Sequence, residues 1–219
     1  MVELGFDLKV ERLSEDWVLL RFGTQISEAV TERVRRYYDG LRRQDFVIEC
    51  VPTYTDIAIR VKGLSLGWGI DAWRLFISEL PTPTSVASSR LITVPVSFAS
   101  TDDLTADMQH FADQVGMSSE IIIEQLLEVE FTVAMVGFLP GMPYLLGLPD
   151  SLCLSRRESL VTAQPGTFAI GGQQAGFLPN QTLTGWWRLG TTKLSAFDLS
   201  RQPHGLFCLG DKVRLLKVD

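Results

Sequence analysis

Three short runs of this chain carry side chains able to hold or polarise a small polar molecule. In the first, Gly171-Gly172-Gln173-Gln174 follows the strand-like Phe168-Ala169-Ile170. Two glycines uncover backbone N–H groups, and a glutamine amide both donates and accepts hydrogen bonds. That set suits a carboxylate, carbamoyl or lactam group, whereas the plainer reading is a β-hairpin with surface glutamines. The second run, Gly137 to Pro149, holds Pro140, Gly141 and Tyr144 among three prolines and three glycines that stiffen it and fold it back. Its apolar character marks the wall of a pocket or an interface, with the Tyr144 hydroxyl open to a ligand or the ring packed for stability. In the third, Arg156-Arg157 offers a fork of donors to an anion or phosphate; a solvated loop pair is the alternative. Trp186-Trp187 then supplies an aromatic wall or an interface anchor. Alternation along a strand puts those two rings on opposite faces, so one belongs to a core.

Other chemistries find little support. His110 and His204 are the two histidines, and no His-x-x-x-His or Cys-x-x-Cys occurs, which argues against a zinc site. A Walker P-loop is missing as a local motif. Neither histidine has a neighbouring Ser/Asp set that would make a hydrolase triad. The catalytic residue is therefore left unassigned.

A chain of 219 residues, 46% apolar and 21% charged, suits one large domain or two small ones with a sizeable core. Its net charge of −6 argues against nucleic acid as a partner. No run reaches the roughly 18 apolar residues of a membrane span, and the N-terminus has no signal-peptide pattern. Cys50, Cys153 and Cys208 are odd in number and widely spaced, which suits reduced thiols and a cytoplasmic location.

These runs need elements to position them. Val18 to Phe22 reads as a strand. Ser27 caps a helix whose apolar stripe is Val30, Val34, Tyr37 or Tyr38, and Leu41; its arginines interleave with acids, as on a solvated face. Phe46–Val51 and Asp56–Val61 read as a strand pair, and Asp71–Leu80 as a second helix. This order predicts a small α+β domain over 1–80, a Pro/Ser/Thr-rich linker over 81–89, and a second domain over 90–219. The second domain opens with Leu91–Val96, where Pro95 predicts an edge strand. A helix starting at Asp103 and stopped by Gly116 follows, then one capped by Ser118. From Phe131 onward, short strands alternate with Gly- and Pro-rich turns, a barrel pattern.

The runs also carry a resemblance. GFLPGMPYLLGL (137–148) is similar to the GF-x-PGF-x-YL-x-GL loop of a family that contains the first subunit of allophanate hydrolase, the B-type subunit of 5-oxoprolinase and the sporulation kinase A inhibitor. PGTFAIGGQQAGFLP (165–179) and GWWRLGT (185–191) resemble its PAGSV-x-IAG-x-QTGIYP and GGW-x-x-IGRT segments. The match spans nearly the whole chain in one order. It implies an α+β N-terminal domain followed by a β-rich cyclophilin-like barrel domain. Carried over by position, the substrate-binding residues are Pro140, Gly141, Tyr144, Gly172, Gln173, Gln174 and Pro179, with Arg156, Arg157 and Trp187 as partner or anion contacts.

The implied function is that of a subunit of an ATP-dependent amidohydrolase resembling 5-oxoprolinase or allophanate hydrolase. The implied partner is a carboxyltransferase-like second subunit, with ATP and Mg bound through the assembled complex. The alternative is a regulatory protein that docks on a histidine kinase. Departures from the family bear on that choice. The family's His before the first barrel loop is Leu126 here, its following Tyr is Phe131, and two arginines are lost within Leu160–Gly166 and at Thr191. Phe98 to Leu104 replaces a glycine-containing segment.

Overall fold

The computed structural model describes residues 6–81 and 89–219, and the chain divides into two compact units, 1–88 and 89–219. Of the expected linker, residues 82–88 lie outside the described residues.

The first unit is a four-stranded antiparallel sheet with two helices. Its elements are β1 (Lys9–Arg12), β2 (Trp17–Arg21), α1 (Glu28–Leu41), β3 (Val47–Pro52), β4 (Asp56–Val61) and α2 (Ile70–Glu79), with strand order β1-β2-β4-β3. Val18 and Leu20 of β2 and Ile57, Ile59 and Val61 of β4 share one core with Val34 and Leu41 of α1 and Trp73 and Ile77 of α2. Alternation along the strands and 3.6-residue spacing along the helices turn these residues to one side. Ser27 caps α1, its hydroxyl accepting from the Val30 amide at 3.3 Å. The basic face of α1 is tied to acids of the same helix, Arg36 to Glu32 and Arg42 to Asp39. Strand β1 is an element the sequence pattern does not announce: Lys9–Arg12 has one apolar residue, Val10, and so shows no alternation.

The second unit comprises β5 (Leu91–Phe98), α3 (Asp102–Val115), α4 (Ser119–Glu128), β6 (Phe131–Val136), β7 (Pro143–Leu146), β8 (Val161–Ala163), β9 (Thr167–Gly171), β10 (Gln174–Leu178), β11 (Thr182–Thr184), β12 (Trp187–Thr191) and β13 (Lys212–Lys217). Seven of these strands close into a barrel in the order β10-β7-β6-β13-β5-β12-β9, while β8 and β11 form a separate ribbon. Inward-facing residues from every barrel strand, among them Val96, Val133, Leu145, Phe168, Phe177, Leu189 and Val213, make one buried cluster. The Phe168 and Phe177 rings lie 5.2 Å apart at its centre. The barrel is thus a packed core, and each such ring contributes about 1.5–3 kcal/mol by burial. Thr101 caps α3 through the Leu104 amide, and Gly116, at φ 71°, ends it.

Pro95 does not mark an edge strand. β5 lies inside the closed barrel, parallel to β13 over Leu91–Val96. The Val218 amide donates to the Val96 carbonyl at 3.0 Å, so even-numbered residues turn their backbone groups toward β13. Pro95 turns its nitrogen the other way, toward β12, where pairing reaches only Ser97 and Phe98. The missing donor costs no ladder bond there, which is why a closed barrel tolerates the proline.

Candidate functional site on the outer face of the barrel

The outer faces of β7, β9 and β10 carry a second apolar cluster of Met142, Ala163, Ala169, Leu178 and Trp186, with Leu139 and Tyr144 packed against it. Trp186 is its centre. A Cβ on Gly171 would stand 2.6 Å from the Trp186 ring, and one on Gly176 would stand 3.2 Å from it and 2.6 Å from the Pro143 carbonyl. The indole lies across two glycines because no side chain fits beneath it. The Tyr144 ring meets it edge-on, with centroids 5.6 Å apart at 80°. The Arg156 guanidinium lies 5.8 Å from its centroid. Burial pushes the Tyr144 hydroxyl up from its ordinary value, against the opposing pull of Arg156, so it stays protonated at neutral pH.

The segment carrying Arg156 is pinned on both sides. The Gly172 amide donates to the Leu154 carbonyl at 2.8 Å and the Arg157 amide to the Gly185 carbonyl at 2.7 Å. Trp187 Nε1 donates to the Ser155 carbonyl at 2.9 Å. These bonds set Arg156 beside the β9–β10 turn. Gly172 has φ 68° and forms that two-residue turn with exposed Gln173, the glycine-first arrangement of a tight hairpin. Gln174 pairs with Gly171 and therefore shares its outer face, next to Trp186. Among the described residues neither the Gln174 amide nor the Arg156 guanidinium is committed to a hydrogen bond within the chain.

The structure separates the expected site residues into two groups. Gly172, Gln173, Gln174 and Arg156 lie at one end of the outer face, with Tyr144 and Trp186 between. Pro140, Gly141 and Pro179 lie at the other end. The reason is topological: β7 and β10 are antiparallel neighbours, with Ala175 opposite Leu145 and Gly176 opposite Tyr144. The loop that leads into β7 and the turn that leads into β10 must then sit at opposite ends. Gln174 and Leu178 are four residues apart, roughly 13 Å. One rim shared by the Pro140-Gly141 loop and Gln174 is excluded by this register.

Two of the three expected contact residues are occupied within the chain. Trp187 is 6% exposed, packed in the barrel cluster, and leaves almost no surface for a partner. Arg157 Nη1 binds Asp107 Oδ1 at 2.5 Å, and its guanidinium covers the Trp187 ring at 4.9 Å. Arg188 Nε binds the other Asp107 oxygen at 2.6 Å, and Arg188 Nη1 donates to the Thr162 carbonyl. The anion that Arg157 holds is thus Asp107 of the same chain. Asp107 had a readable signal: it lies three residues after Leu104 and four before Phe111, on the buried stripe of α3. His110 is exposed and meets Trp187 edge-on at 5.0 Å. His204 faces Gln202, and Ser200 donates to Asp198 rather than to the imidazole, so no triad forms there.

Among the described residues, the first unit, where the sequence suggests no site, includes open clefts of about 340 and 380 Å³. Lys9, Arg21 and Arg74 line one; Phe46, Lys62 and Trp68 line the other.

An α+β unit followed by a closed seven-stranded barrel, with tryptophan laid over glycines on its outer face, is the architecture of a cyclophilin-like barrel protein. The chain belongs to the carboxyltransferase domain, subdomain C and D, family, whose sequence model matches residues 8–207. It is 30% identical over 208 residues to the B-type subunit of 5-oxoprolinase from Escherichia coli O157:H7, covering 93% of each chain. To the corresponding 5-oxoprolinase subunit of Bacillus subtilis strain 168 it is 27% identical over 226 residues, 96% of this chain and 93% of that one. The crystal structure of TTHA0988 has the same fold, with a TM-score of 0.79 and 24% identity. That match covers 93% of this chain and 40% of TTHA0988, so this chain spans less than half the length of that one. Among the described residues no helix is long and apolar enough to cross a membrane.

Proposed function

We propose that this chain is a subunit of an ATP-dependent amidohydrolase of the 5-oxoprolinase type, acting in the cytoplasm with a carboxyltransferase-like second subunit. Two relatives named as 5-oxoprolinase subunits match over 93% or more of this chain and support the reading. The observation that carries it is the uncommitted pair of Gln174 and Arg156 on the aromatic wall of Trp186 and Tyr144. A substrate such as 5-oxoproline presents a carboxylate, a lactam amide and an apolar ring. Arg156 would take the carboxylate and Gln174 the amide, while the buried Trp186 ring supports Arg156 from beneath.

The face binds and orients; it supplies neither nucleophile nor general base. Among the described residues no three His, Cys, Asp or Glu side chains converge to hold a metal ion. ATP and Mg are assigned to the assembled complex, where phosphorylation would activate the carbonyl. Co-expression with the carboxyltransferase-like subunit and an ATP-dependent assay of 5-oxoproline hydrolysis test the proposal. Turnover is expected from the complex and not from this chain alone. Robust turnover by the pure chain, or none by any complex with 5-oxoproline or allophanate, overturns it.

A second reading, a regulatory module that docks on a histidine kinase, draws support from two positions. Leu126 and Phe131, which replace the family's His and Tyr, are fully buried in the barrel cluster. Binding tolerates that loss of polar groups where catalysis does not. Inhibition of kinase autophosphorylation by a chain that forms no active complex would favour it.

A further inference from the structure

Phe138 combines two unfavourable features that nothing among the described residues offsets. At 77% it is the most exposed of their large apolar side chains, and it has a positive φ of 69°. The Leu139 amide donates to the Gly137 carbonyl at 2.9 Å, so Phe138 is the central residue of a γ-turn of the rare, strained hand. A bulky side chain in that conformation is an outlier, and such strain persists only where the surroundings impose it.

The surroundings do impose it. The Gly137 amide and Met142 carbonyl close the loop at 3.1 Å, and the Met142 amide returns to the Leu139 carbonyl at 3.0 Å. Leu139 is drawn into the Trp186 cluster on one side of Phe138. Gly141 is seated so closely on the 195–207 loop that a Cβ would stand 2.6 Å from the Ala196 carbonyl and 2.8 Å from Phe197 Cβ. The tip is thus rigid, with its ring turned into solvent. Leu199, the next most exposed large apolar side chain at 76%, stands on the loop that Gly141 touches.

We propose that Phe138 is the anchor by which this chain docks into an apolar pocket on its partner subunit. A rigid aromatic presented in advance loses little freedom on binding, the property of interface hot spots. The net charge of −6 disfavours an anionic lipid surface as the occupant. A polypeptide occupant accords with the relatives, which are named as subunits of 5-oxoprolinase. The inference rests on the multi-subunit reading given above. It places docking at the Pro140–Pro179 end of the outer face, away from Gln174 and Arg156.

The test measures affinity of the full chain for the carboxyltransferase-like subunit, alongside the melting temperature of each variant. Phe138→Ala and Phe138→Gly should each weaken binding about tenfold or more, while Phe138→Tyr retains it. Phe138→Gly removes the strain, so its melting temperature should hold or rise by about 2–4 °C. Wild-type and variant chains that bind equally well overturn the inference and leave the multi-subunit reading standing. A wild-type chain that fails to bind overturns both. Lost binding together with a lower melting temperature for Phe138→Gly would show a packing role instead and also overturns it. So does loss, in the same variants, of self-association or of binding to anionic vesicles, which would identify a second copy or a membrane as the occupant.

Discussion

Gly171 and Trp186 are mutually required: a Cβ on the glycine would stand 2.6 Å from the indole Cδ1. The backbone at Gly171 is ordinary strand, so the constraint is space and not φ. Gly171→Ala is expected to push the indole off the face and destabilise the protein by about 1–3 kcal/mol, the cost of overpacking. Tryptophan fluorescence and urea unfolding check this. Unchanged spectra and stability would mean the ring has room that the structure denies it.

Asp107 holds two guanidiniums, and all three side chains are largely buried. Asp107→Ala leaves both cations unpaired and should cost about 3–5 kcal/mol. Asp107→Asn keeps hydrogen bonding and should cost less. Equal denaturation midpoints for wild type and Asp107→Ala would remove the network from the account of stability.

On the proposed function, Gln174→Ala should lower kcat/KM of the assembled complex without unfolding this chain. One lost hydrogen bond costs about 0.5–1.5 kcal/mol, roughly a two- to twelvefold fall. Arg156→Ala should raise KM for a carboxylate substrate by more, since a charged donor is lost. Identical kinetics for all three complexes would move the substrate off this face.

Burial pushes the Cys50 thiol up to about 12, with Arg42 opposing. In the unfolded chain the thiol ionises near its usual value of about 8.5. Above that pH the unfolded state releases a proton that the folded state keeps, so stability falls as pH rises toward 12. Below about 8.5 Cys50 contributes no pH dependence. Cys50→Ser should flatten the alkaline limb of a stability–pH profile. Alkylation at about pH 8 should reach exposed Cys208 well before Cys50.

Ala99 has φ 47°, in the left-handed region that favours glycine. Ala99→Gly should stabilise the protein by about 1 kcal/mol, raising the melting temperature by about 2–4 °C. A lower melting temperature would show that the methyl group's packing outweighs the strain.

Much of the scaffold is legible in local sequence because its causes are local. Ser27, Thr101 and Ser118 cap helices through amides three residues away, and Gly116 ends α3 by taking φ 71°. The aromatic pair also separates as alternation requires: Trp187 joins the barrel cluster and Trp186 the outer one. The polar strand β1 is the converse case, since Lys9–Arg12 becomes a strand only by pairing with β2.

What tertiary structure alone decided is which residues meet. Sequence types nominated the Pro140-Gly141 loop and Gln174, but only the antiparallel pairing of β7 with β10 puts them at opposite ends. Sequence could offer Arg156 and Arg157 as equal candidates; Asp107, fifty residues away, claims Arg157 and leaves Arg156 uncommitted. Closure of the barrel likewise removed the edge that Pro95 suggested. Caps and alternation arise from a few adjacent dihedrals, so they are written locally. Strand register and ion pairing join segments far apart in the chain, and the short runs themselves carry no record of those distances.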